Sequence, residues 1–421
     1  MGRLDRRRHL TLDVRVIGKN RILVTCPRGV PPVLKAEIEG LGLEATREAV
    51  LGVETEGTLE DCMRLNLQLR TGHRVLWLIE EFRARDAAEM YARVNAIPWE
   101  DILSADEHLS VTSSVENETI TDTRFANMKC KDAIVDRLKA RTGRRPDSGP
   151  ERANAVVFLY WKGVRCGLFL DTTGEPLPKR GYRKIPWKAP MQESLAAAVV
   201  LSTRWDRKIP FVNPMCGSGT LAIEAALVGL NRAPGLLRDN FGFMHVKEWI
   251  ITGRGGGRCP ESLEEYLPPG RPRNQRTTLE KAWVSIRNEA KKTAMKSLPG
   301  KIIATDIDPK AIDAARQNAR IAGVEHLIEF KVCDFGDTEI PEDHGVVVLN
   351  PEYGERMGDE RKLEPLYGRI GDFLKQRCTG YTGYVFTGNL NLAKKVGLHA
   401  KRRIPFWNGA IECRLLEYEM Y

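Results

Sequence analysis

Residues 345–354 read GVVVLNPEYG, and this stretch decides how the carboxyl-terminal half of the chain folds. Its first five residues are apolar and rich in valine, a pattern typical of a buried strand in a parallel sheet. Asn350 would then follow the carboxyl end of the strand, where open α/β sheets bind their ligands. Asn-Pro and Tyr-Gly pairs are also common in turns, so the stretch alone fits a ligand site or an ordinary turn.

The residues after the strand carry groups suited to a nucleobase. The Asn350 amide oxygen and the Pro351 carbonyl can both accept hydrogen bonds from an exocyclic amine. Tyr353 can stack on a base, and the fixed φ of proline holds the neighbouring carbonyls in place. We therefore predict that Asn350, Pro351 and Tyr353 grip a base amine and form the catalytic site.

Strand and helix patterns alternate through the carboxyl-terminal half, which predicts an α/β fold with a doubly wound parallel sheet. The strand patterns lie at residues 209–213, 301–305, 327–332, 345–349, 381–387, 401–406 and 410–418. No helix pattern separates the last two, so we expect them to form an antiparallel hairpin. Residues 252–278 interrupt the alternation, and their glycines and prolines predict an inserted surface loop.

A glycine-rich loop, residues 213–220 (NPMCGSGT), follows one strand pattern and precedes a helix pattern. It fits the loose motif G-x-G-x-x-A, so a dinucleotide-binding oxidoreductase is one interpretation. Such a site needs an acidic residue about 20 positions further on, at a strand end. Asp239 lies near that distance, but it belongs to an Arg-Asp-Asn stretch rather than to a strand.

S-adenosylmethionine is the better candidate ligand for this edge of the sheet. It has no phosphate, so the glycines would allow close backbone approach rather than bind an anion. Asp306, at the end of the next strand, would hold the ribose hydroxyls, and Asp334, after the following strand, would accept from the adenine amine. Ile307 and Phe335 offer apolar faces to the adenine. Successive strand ends thus supply groups for different parts of one cofactor.

The amino-terminal half combines short strand and helix patterns, which predicts an α+β structure. Its strand patterns lie at residues 21–26, 50–54, 75–79, 109–115, 155–159 and 164–170. A basic segment follows, in which Lys179, Arg180 and Arg183 flank Tyr182. Basic groups beside an aromatic ring can neutralise phosphates and stack on bases. The prolines around them also fit a connector between domains.

Composition favours a nucleic-acid partner and gives no sign of a membrane or metal protein. The formal net charge is +9 and the pI about 9.0, which suits a polyanion. No apolar run approaches the ~20 residues of a membrane span. The nine cysteines form no Cys-x-x-Cys pair and the seven histidines are scattered, so we expect no metal site. Single, dispersed cysteines fit a reducing, cytoplasmic location.

The carboxyl-terminal half resembles class I S-adenosylmethionine-dependent methyltransferases of the amino-methylating group, whose signature is N-P-P-Y. The whole chain resembles the THUMP-containing guanosine-N2 RNA methyltransferases, the family of the bacterial large-subunit rRNA enzyme. The matching stretches occur in the same order and cover nearly the whole chain: 25–29 (TCPRG), 64–67, 74–76, 128–134 (MKCKDAI), 171–174, 179–183 (KRGYR), 193–198, the glycine loop, 306–309 and 350–356.

This resemblance implies a Rossmann-like seven-stranded methyltransferase sheet with a carboxyl-terminal hairpin, preceded by RNA-binding modules. We expect a ferredoxin-like region at 1–58, a THUMP domain at 59–172, a basic linker at 173–190 and the methyltransferase domain at 191–421. It also implies that the helix carrying Glu193 covers one side of the cofactor site. The chain ends at Tyr421, and we expect no second methyltransferase domain of the kind found in fused members.

Two sets of binding residues follow from the motifs and the resemblance together. Those expected to bind the cofactor are Glu193, Asn213, Pro214, Cys216, Gly217, Ser218, Gly219, Thr220, Asp306, Ile307, Asp334, Phe335 and Asn350. Those expected to contact RNA are Lys129, Arg144, Arg145, Lys179, Arg180, Tyr182 and Arg183.

Two positions depart from the family pattern. Glu352 stands where the family has a second proline, and Asn213 stands where the glycine loop opens with aspartate. The function we expect is methyl transfer to the exocyclic N2 of a guanosine in RNA, and the resemblance favours 23S rRNA as the substrate. The alternatives are a tRNA guanosine-N2 methyltransferase, a ribosome-assembly factor that binds RNA with weakened catalysis, and a DNA amino-methyltransferase, against which the THUMP-like region argues.

Overall fold

A computed structural model describes residues 18–120, 122–152, 154–185, 191–247, 278–342, 344–354 and 359–421. These residues fold around two seven-stranded sheets, one in each half of the chain. The predicted insertion at 252–278 falls outside the described residues apart from its last position, and so does the end of the basic linker, residues 186–190.

The amino-terminal sheet is mainly antiparallel. Its strands are β1 (Asn20–Thr25), β2 (Ala45–Ala49), β3 (Gly52–Gly57), β4 (Arg74–Arg83), β5 (Leu109–Glu116), β6 (Ala155–Lys162) and β7 (Arg165–Asp171). They lie in the order β2-β3-β1-β4-β7-β6-β5, with β5 and β6 parallel. Since β1 pairs with both β3 and β4, residues on either side of position 58 share one sheet.

The helices of this half begin and end at recognisable signals. They are α1 (Pro31–Gly40), α2 (Leu59–Gln68), α3 (Ala87–Ala96), α4 (Trp99–Ile102) and α5 (Thr123–Thr142). A capping box starts α2, because the Thr58 and Asp61 side chains each accept from the other residue's backbone N–H. Gly143, in the left-handed conformation at φ 74°, ends α5.

The strand predicted at residues 50–54 starts two residues later. Val50 and Leu51 instead form the turn between β2 and β3, with exposures of 67% and 61%. β2 itself was not predicted, because its sequence ATREA lacks the β-branched or alternating apolar pattern that marks a strand. As the edge of the sheet it pairs with β3 alone and buries little apolar surface.

The carboxyl-terminal sheet has the predicted doubly wound form. Its strands are β8 (Phe211–Pro214), β9 (Ile302–Asp306), β10 (Ile328–Val332), β11 (Val346–Leu349), β12 (Thr382–Thr387), β13 (Arg402–Asn408) and β14 (Ile411–Glu419). The order is β10-β9-β8-β11-β12-β14-β13, parallel from β10 to β12. The antiparallel hairpin β13–β14 confirms the prediction for the last two strands. Chain order reverses beside β8, which places a crevice at the ends of β8 and β11.

Helices connect these strands: α6 (Glu193–Ser202), α7 (Thr220–Gly229), α8 (Thr278–Thr293), α9 (Pro309–Ala322), α10 (Asp359–Arg377) and α11 (Leu390–Lys395). Neither α8 nor α11 is predicted from the sequence. α8 starts where the glycine- and proline-rich segment ends, and its Trp283 packs edge-on against Phe241 and Phe243. α11 has only six residues, too few for a periodic pattern.

The two halves of the chain dock closely, with backbone against backbone. A Cβ on Gly235 would lie 2.7 Å from the Leu67 Cα, and one on Gly242 would lie 2.1 Å from the Asp171 carbonyl oxygen. Only glycine allows such approach. The Arg238 guanidinium adds hydrogen bonds to backbone carbonyls of the amino-terminal half, including those of Glu175 and Pro176. One continuous hydrophobic core spans both halves.

Arg180 and Tyr182, two residues predicted to contact RNA, lie in this interface instead. Each side chain is 1% exposed. The Tyr182 hydroxyl donates to Glu224 Oε1 at 2.9 Å, and Arg180 Nε lies 3.1 Å from the same oxygen. Arg180 also donates to the Arg70 carbonyl. The predicted RNA contacts are therefore wrong for these two residues, because a buried acid on α7 draws both of them inward.

Burial governs the titration of this interface. It raises the pKa of Glu224 to about 7, although the nearby Arg180 guanidinium acts in the opposite direction. It lowers the pKa of His73 to about 4, helped by the charge of Arg74. His73 is a cross-interface residue, because its Nε2 lies 2.9 Å from the Ser194 hydroxyl on α6.

We predict that His73→Gln gains stability relative to the unaltered protein as pH falls from 6.5 to 4. The pKa of His73 is lower in the folded protein than in the unfolded chain. Its contribution to folding stability is therefore complete above pH 6.5 and is lost as the pH falls toward 4. The relative change should reach at most about 3 kcal/mol. Urea unfolding of both proteins at several pH values measures it. His399→Gln, at an exposed histidine, is the matched control; a parallel pH dependence of all three proteins would contradict the prediction.

Candidate active site

The glycine-rich loop turns sharply between β8 and α7. Met215, Gly217 and Gly219 all have left-handed backbones, with φ of 59°, 54° and 82°. A left-handed methionine is uncommon and stores strain, a feature that concentrates at functional sites. The Cys216 N–H donates to the Thr305 carbonyl at 2.9 Å, which ties the loop to the end of β9.

Asp306 fastens the loop from the neighbouring strand. Its Oδ2 accepts from the Gly217 N–H at 2.9 Å, and its Oδ1 accepts from the Asp308 N–H at 3.0 Å. A carboxylate has further lone pairs, so Asp306 can still accept from two hydroxyl groups. Ile307 beside it is 69% exposed, an apolar side chain at a strand end with little cover. The structure therefore places Asp306 and Ile307, the residues predicted to contact the ribose and the adenine, beside the loop.

Asp334 and Phe335 follow the next strand, β10. Asp334 Oδ1 accepts from the Gly336 N–H at 2.9 Å and from the Arg369 guanidinium at 2.6 Å. These bonds leave Oδ2 for another donor. Phe335 is 5% exposed and packs edge-on against Phe373, with Arg369 over its ring at 4.8 Å. Phe335 therefore offers a cofactor much less open surface than Ile307 does, and Arg369 is a neighbour that sequence spacing does not reveal.

Asn213 belongs to β8 and is fully buried beside β11. Its Nδ2 donates to the Val348 carbonyl at 2.8 Å, a bond that an aspartate carboxylate cannot donate. Its Oδ1 is buried and has no hydrogen-bond partner among the described residues. The departure from the family pattern thus exchanges a charge for a cross-strand bond and leaves an acceptor beside the loop.

Glu193 lies at the start of α6, 4% exposed. It accepts from the Arg183 guanidinium at 2.9 Å, and Arg183 also donates to the Met191 carbonyl at 2.8 Å. Burial raises the pKa of the Glu193 carboxyl despite this arginine. Arg183 was predicted to contact RNA, but its guanidinium is held here by Glu193. The role of Glu193 toward a cofactor stays a prediction.

Asn318 on α9 joins the basic linker to the glycine-rich loop, a link that the sequence analysis missed. Its Oδ1 accepts from the backbone N–H groups of Lys184 and Ile185 at 3.1 and 3.2 Å. Its Nδ2 donates to the Ser218 carbonyl at 3.3 Å. The one sequence signal for this link is an asparagine on the apolar face of the α9 helix pattern.

Asn350 and Pro351 lie where the sequence predicts, directly after β11. The Asn350 Oδ1 is buried and accepts no hydrogen bond from any described residue. A buried acceptor without a donor costs free energy of about 1–3 kcal/mol, so a ligand that donates to it would stabilise the site. Pro351 is buried, while Glu352 is exposed. The strand end therefore presents one unsatisfied acceptor beside the glycine-rich loop.

Tyr353 is held in place by two residues that sequence motifs do not identify. Its hydroxyl accepts from Asn408 Nδ2 at 2.8 Å, at the end of β13. Its ring lies against Gly388, where a Cβ would be 3.0 Å from the Tyr353 Cδ2. The hairpin predicted as the end of the sheet thus also orients Tyr353, whose catalytic role stays a prediction.

The remaining residues predicted to contact RNA lie on the surface. Arg144 and Arg145 are exposed after α5, and Arg144 pairs with Asp106 at 2.6 Å. Lys129 and Arg145 line an open cavity of about 750 Å³ beside α3 and α5. Lys179 is 71% exposed and pairs with Glu175. Their side chains are accessible, and their contacts with RNA stay predictions.

Two further observations concern the part of the chain that the structure describes. Its histidine, cysteine and acidic side chains form no group of three or more that could hold a metal ion. None of its helices combines the length and apolar character needed to cross a bilayer.

Comparison with protein families gives three matches in order along the chain. The family described as UPF0020, the RMKL-like methyltransferase domain, matches residues 180–417, more than half of the chain. The chain belongs to this methyltransferase family. The RlmL ferredoxin-like domain matches residues 21–76, and the THUMP domain matches residues 84–171. The predicted family and its set of modules are confirmed.

Curated relatives match nearly the whole of this chain at moderate identity. Ribosomal RNA large subunit methyltransferase K/L of Syntrophotalea carbinolica is 37% identical over 95% of this chain and 53% of its own length. The protein of the same name from Pseudomonas aeruginosa is 35% identical, over 94% and 52%. The chain therefore spans about half the length of the curated relatives it matches.

Solved structures agree with the fold. SMU.472, crystallised with SAH, is 28% identical with a TM-score of 0.80, covering 96% of this chain and 98% of its own. A Listeria monocytogenes protein described as a predicted N6-adenine-specific DNA methylase is 30% identical with a TM-score of 0.80, covering 98% and 99%. The predicted class I methyltransferase fold is confirmed, and class I methyltransferases use S-adenosylmethionine.

We predict that Gly219→Ala weakens S-adenosylmethionine binding at least tenfold. Its backbone is left-handed, and an added Cβ would lie 2.9 Å from the Ala315 Cβ, so the loop must shift. Gly163→Ala is the matched control, because that glycine is also left-handed but has open space around it. Calorimetric titration of both variants measures the effect. Equal affinity in the two variants would show that the close approach is unimportant.

We also predict that Gly388→Ala lowers the methyl-transfer rate about tenfold while cofactor affinity stays unchanged. The added methyl would displace the Tyr353 ring, and a small misplacement at a reacting site is costly. Gly368→Ala in α10 is the control, since nothing lies within 4 Å of its Cβ position. Single-turnover transfer to RNA provides the rate. A Gly388→Ala rate equal to that of the control would contradict the prediction.

Proposed function

We propose that the protein transfers a methyl group from S-adenosylmethionine to the exocyclic N2 of a guanosine in RNA, with large-subunit rRNA as the preferred substrate. The observation that carries this proposal is the buried Oδ1 of Asn350 at the carboxyl end of β11, which has no hydrogen-bond partner among the residues that the structure describes. It is an acceptor that requires a donor, and an aromatic amine supplies one.

The residues at this edge of the sheet fit the cofactor. The close loop at Gly217 and Gly219, the lone pairs of Asp306 and the exposed Ile307 suit its aminoacyl, ribose and adenine parts. The unpartnered Oδ1 of Asn213 adds an acceptor beside the loop. When bound, S-adenosylmethionine supplies an activated methyl group on a sulfonium, so no metal or covalent nucleophile is required.

The chain's own part in transfer is to hold the target amine. Asn350 Oδ1 and the Pro351 carbonyl would each accept a hydrogen bond from one of the two N2 hydrogens. This arrangement would turn the nitrogen lone pair toward the methyl group. Tyr353 would stack on the base from its fixed position against Gly388. Alignment of two bound reactants accounts for most of the catalysis. A paired guanosine must first be flipped out of its helix.

The choice of polymer rests on the relatives, whereas the choice of guanine N2 rests on the resemblance of the sequence motifs. The curated relatives reported above are named rRNA methyltransferases, and the THUMP domain matched at residues 84–171 favours RNA over DNA. The Listeria protein, by contrast, is described as specific for adenine in DNA. tRNA is a second candidate substrate. Glu352 is exposed, and a carboxylate at this position would loosen the loop or repel phosphate. The other alternative is therefore an RNA-binding factor with weakened catalysis.

We predict that Asn350→Ala reduces methyl transfer to RNA about 100-fold or more while S-adenosylmethionine affinity is retained. The variant loses the acceptor that orients the amine but keeps the loop and Asp306. The assay uses unmodified large-subunit rRNA and tRNA transcripts in parallel, followed by mass spectrometry of the nucleosides. We expect N2-methylguanosine in the rRNA and none above background with the variant.

A substrate control separates the candidate targets. A transcript in which inosine replaces guanosine lacks the N2 amine and should accept no methyl group. N6-methyladenosine, or equal labelling of the inosine transcript, would overturn the guanine assignment. Undiminished transfer by Asn350→Ala would overturn the role of Asn350, and strong RNA binding without transfer by the unaltered protein would favour the assembly factor.

A further inference from the structure

The loop at residues 25–29 (TCPRG) of the amino-terminal half reaches the catalytic domain. Gly29 has φ 83°, and a Cβ there would lie 2.5 Å from the Pro405 carbonyl oxygen and 3.1 Å from the Trp407 ring. The loop therefore lies directly against β13. This contact brings the ferredoxin-like module to the strand whose last residue, Asn408, orients Tyr353.

Arg28 and Trp407 form a stacked pair at this junction. The Arg28 guanidinium lies 4.5 Å from the centre of the Trp407 ring. Arg28 is exposed, Trp407 is half-buried, and the ion pairs found among the described residues do not include Arg28. Glu412 lies opposite Trp407 across the hairpin, but Arg414 pairs with its carboxylate. The Arg28 charge is thus open to an outside anion.

Exposed apolar side chains lie at the same end of the amino-terminal sheet. Val50 and Leu51, in the turn between β2 and β3, are 67% and 61% exposed. The Leu51 carbonyl accepts from the Cys26 N–H at 3.0 Å, so the turn adjoins the loop that carries Arg28. An exposed cation stacked on an aromatic ring is the combination that binds single-stranded nucleic acid, and the apolar turn lies next to it.

We propose that Arg28 and Trp407 form a subsite for single-stranded RNA next to the target nucleotide; this inference rests on the proposed function. A guanidinium over an indole keeps its N–H groups at the edge for phosphate, and its outer face for a base. Trp407 directly precedes Asn408, which holds Tyr353, so the subsite lies at the same end of β13 as Tyr353, with the Trp407 side chain on the opposite face of the strand. A flipped guanosine leaves its neighbours unstacked, and the subsite gives one of them a stacking partner.

The test compares the unaltered protein with Arg28→Ala, Arg28→Lys and the charge-matched control Lys208→Ala. Lys208 is exposed and precedes β8, at the amino ends of the parallel strands, away from the pocket. The measurements are affinity for an unmodified large-subunit rRNA transcript at several salt concentrations, kcat and KM for methyl transfer, cofactor affinity and Tm.

We expect Arg28→Ala to weaken RNA affinity about tenfold, within the range for lost stacking. The slope of affinity against salt should fall by about one counterion, because one phosphate contact is removed. Arg28→Lys should restore the salt slope but not the full affinity, since lysine keeps the charge and loses the planar stack. KM for RNA should rise with little change in kcat, while Lys208→Ala matches the unaltered protein.

The outcomes separate this inference from the proposed function. RNA affinity of Arg28→Ala equal to that of Lys208→Ala overturns the subsite, whether or not methyl transfer occurs. The subsite is also overturned if a drop in cofactor affinity or Tm accounts for the lost RNA affinity and Arg28→Lys shows the same drop. Arg28 would then be a residue that docks the two halves of the chain. Absence of transfer by the unaltered protein counts against the proposed function, while its RNA affinity still decides the subsite.

Discussion

Parallel pairing of β8 with both β9 and β11 is the constraint on which the site depends. It brings the ends of three strands to one edge, although β8 and β11 are more than 100 positions apart in the chain. The Gly217 N–H to Asp306 bond and the Asn213 to Val348 bond then fix the loop against its neighbours. The exposure of Ile307, and the lack of a hydrogen-bond donor to Asn350 Oδ1 within the described ranges, are consequences of this arrangement, because both side chains lie beyond the last paired residue of their strands.

The second constraint is the close fit between the two halves of the chain. Backbone contacts at Gly235 and Gly242 exclude side chains from parts of the interface, and Arg180, Tyr182 and Glu224 fill another part with buried polar groups. These contacts orient the amino-terminal module relative to the catalytic edge. A module so fixed holds its surface at a set distance from the end of the carboxyl-terminal sheet, which a flexible linker cannot do.

The apolar periodicity of the sequence predicted much of the fold. The rule that ligands bind at the carboxyl ends of parallel strands predicted the position of the candidate site. The alternation of the carboxyl-terminal half indicated its strand count, the hairpin and the position of the motif after β11, because buried parallel strands are continuous apolar runs. Sequence reasoning failed where tertiary context decides. Arg180 and Tyr182 are a basic–aromatic pair like those that bind RNA, yet a carboxylate distant in the chain, Glu224, buries them. Gly388 and Asn408 carry no motif, and only the packed structure shows that they hold Tyr353.

The buried histidine and glutamate at the interface have opposite responses to acid. As pH rises from about 4.5 toward 7, Glu224 favours the docked state less, since the folded protein holds its proton more tightly than the unfolded chain does. Over nearly the same interval, His73 favours the docked state more. The two contributions to stability therefore offset each other, so moderate acidification would protonate Glu224 while the net stabilisation of the junction between the two halves of the chain changes little.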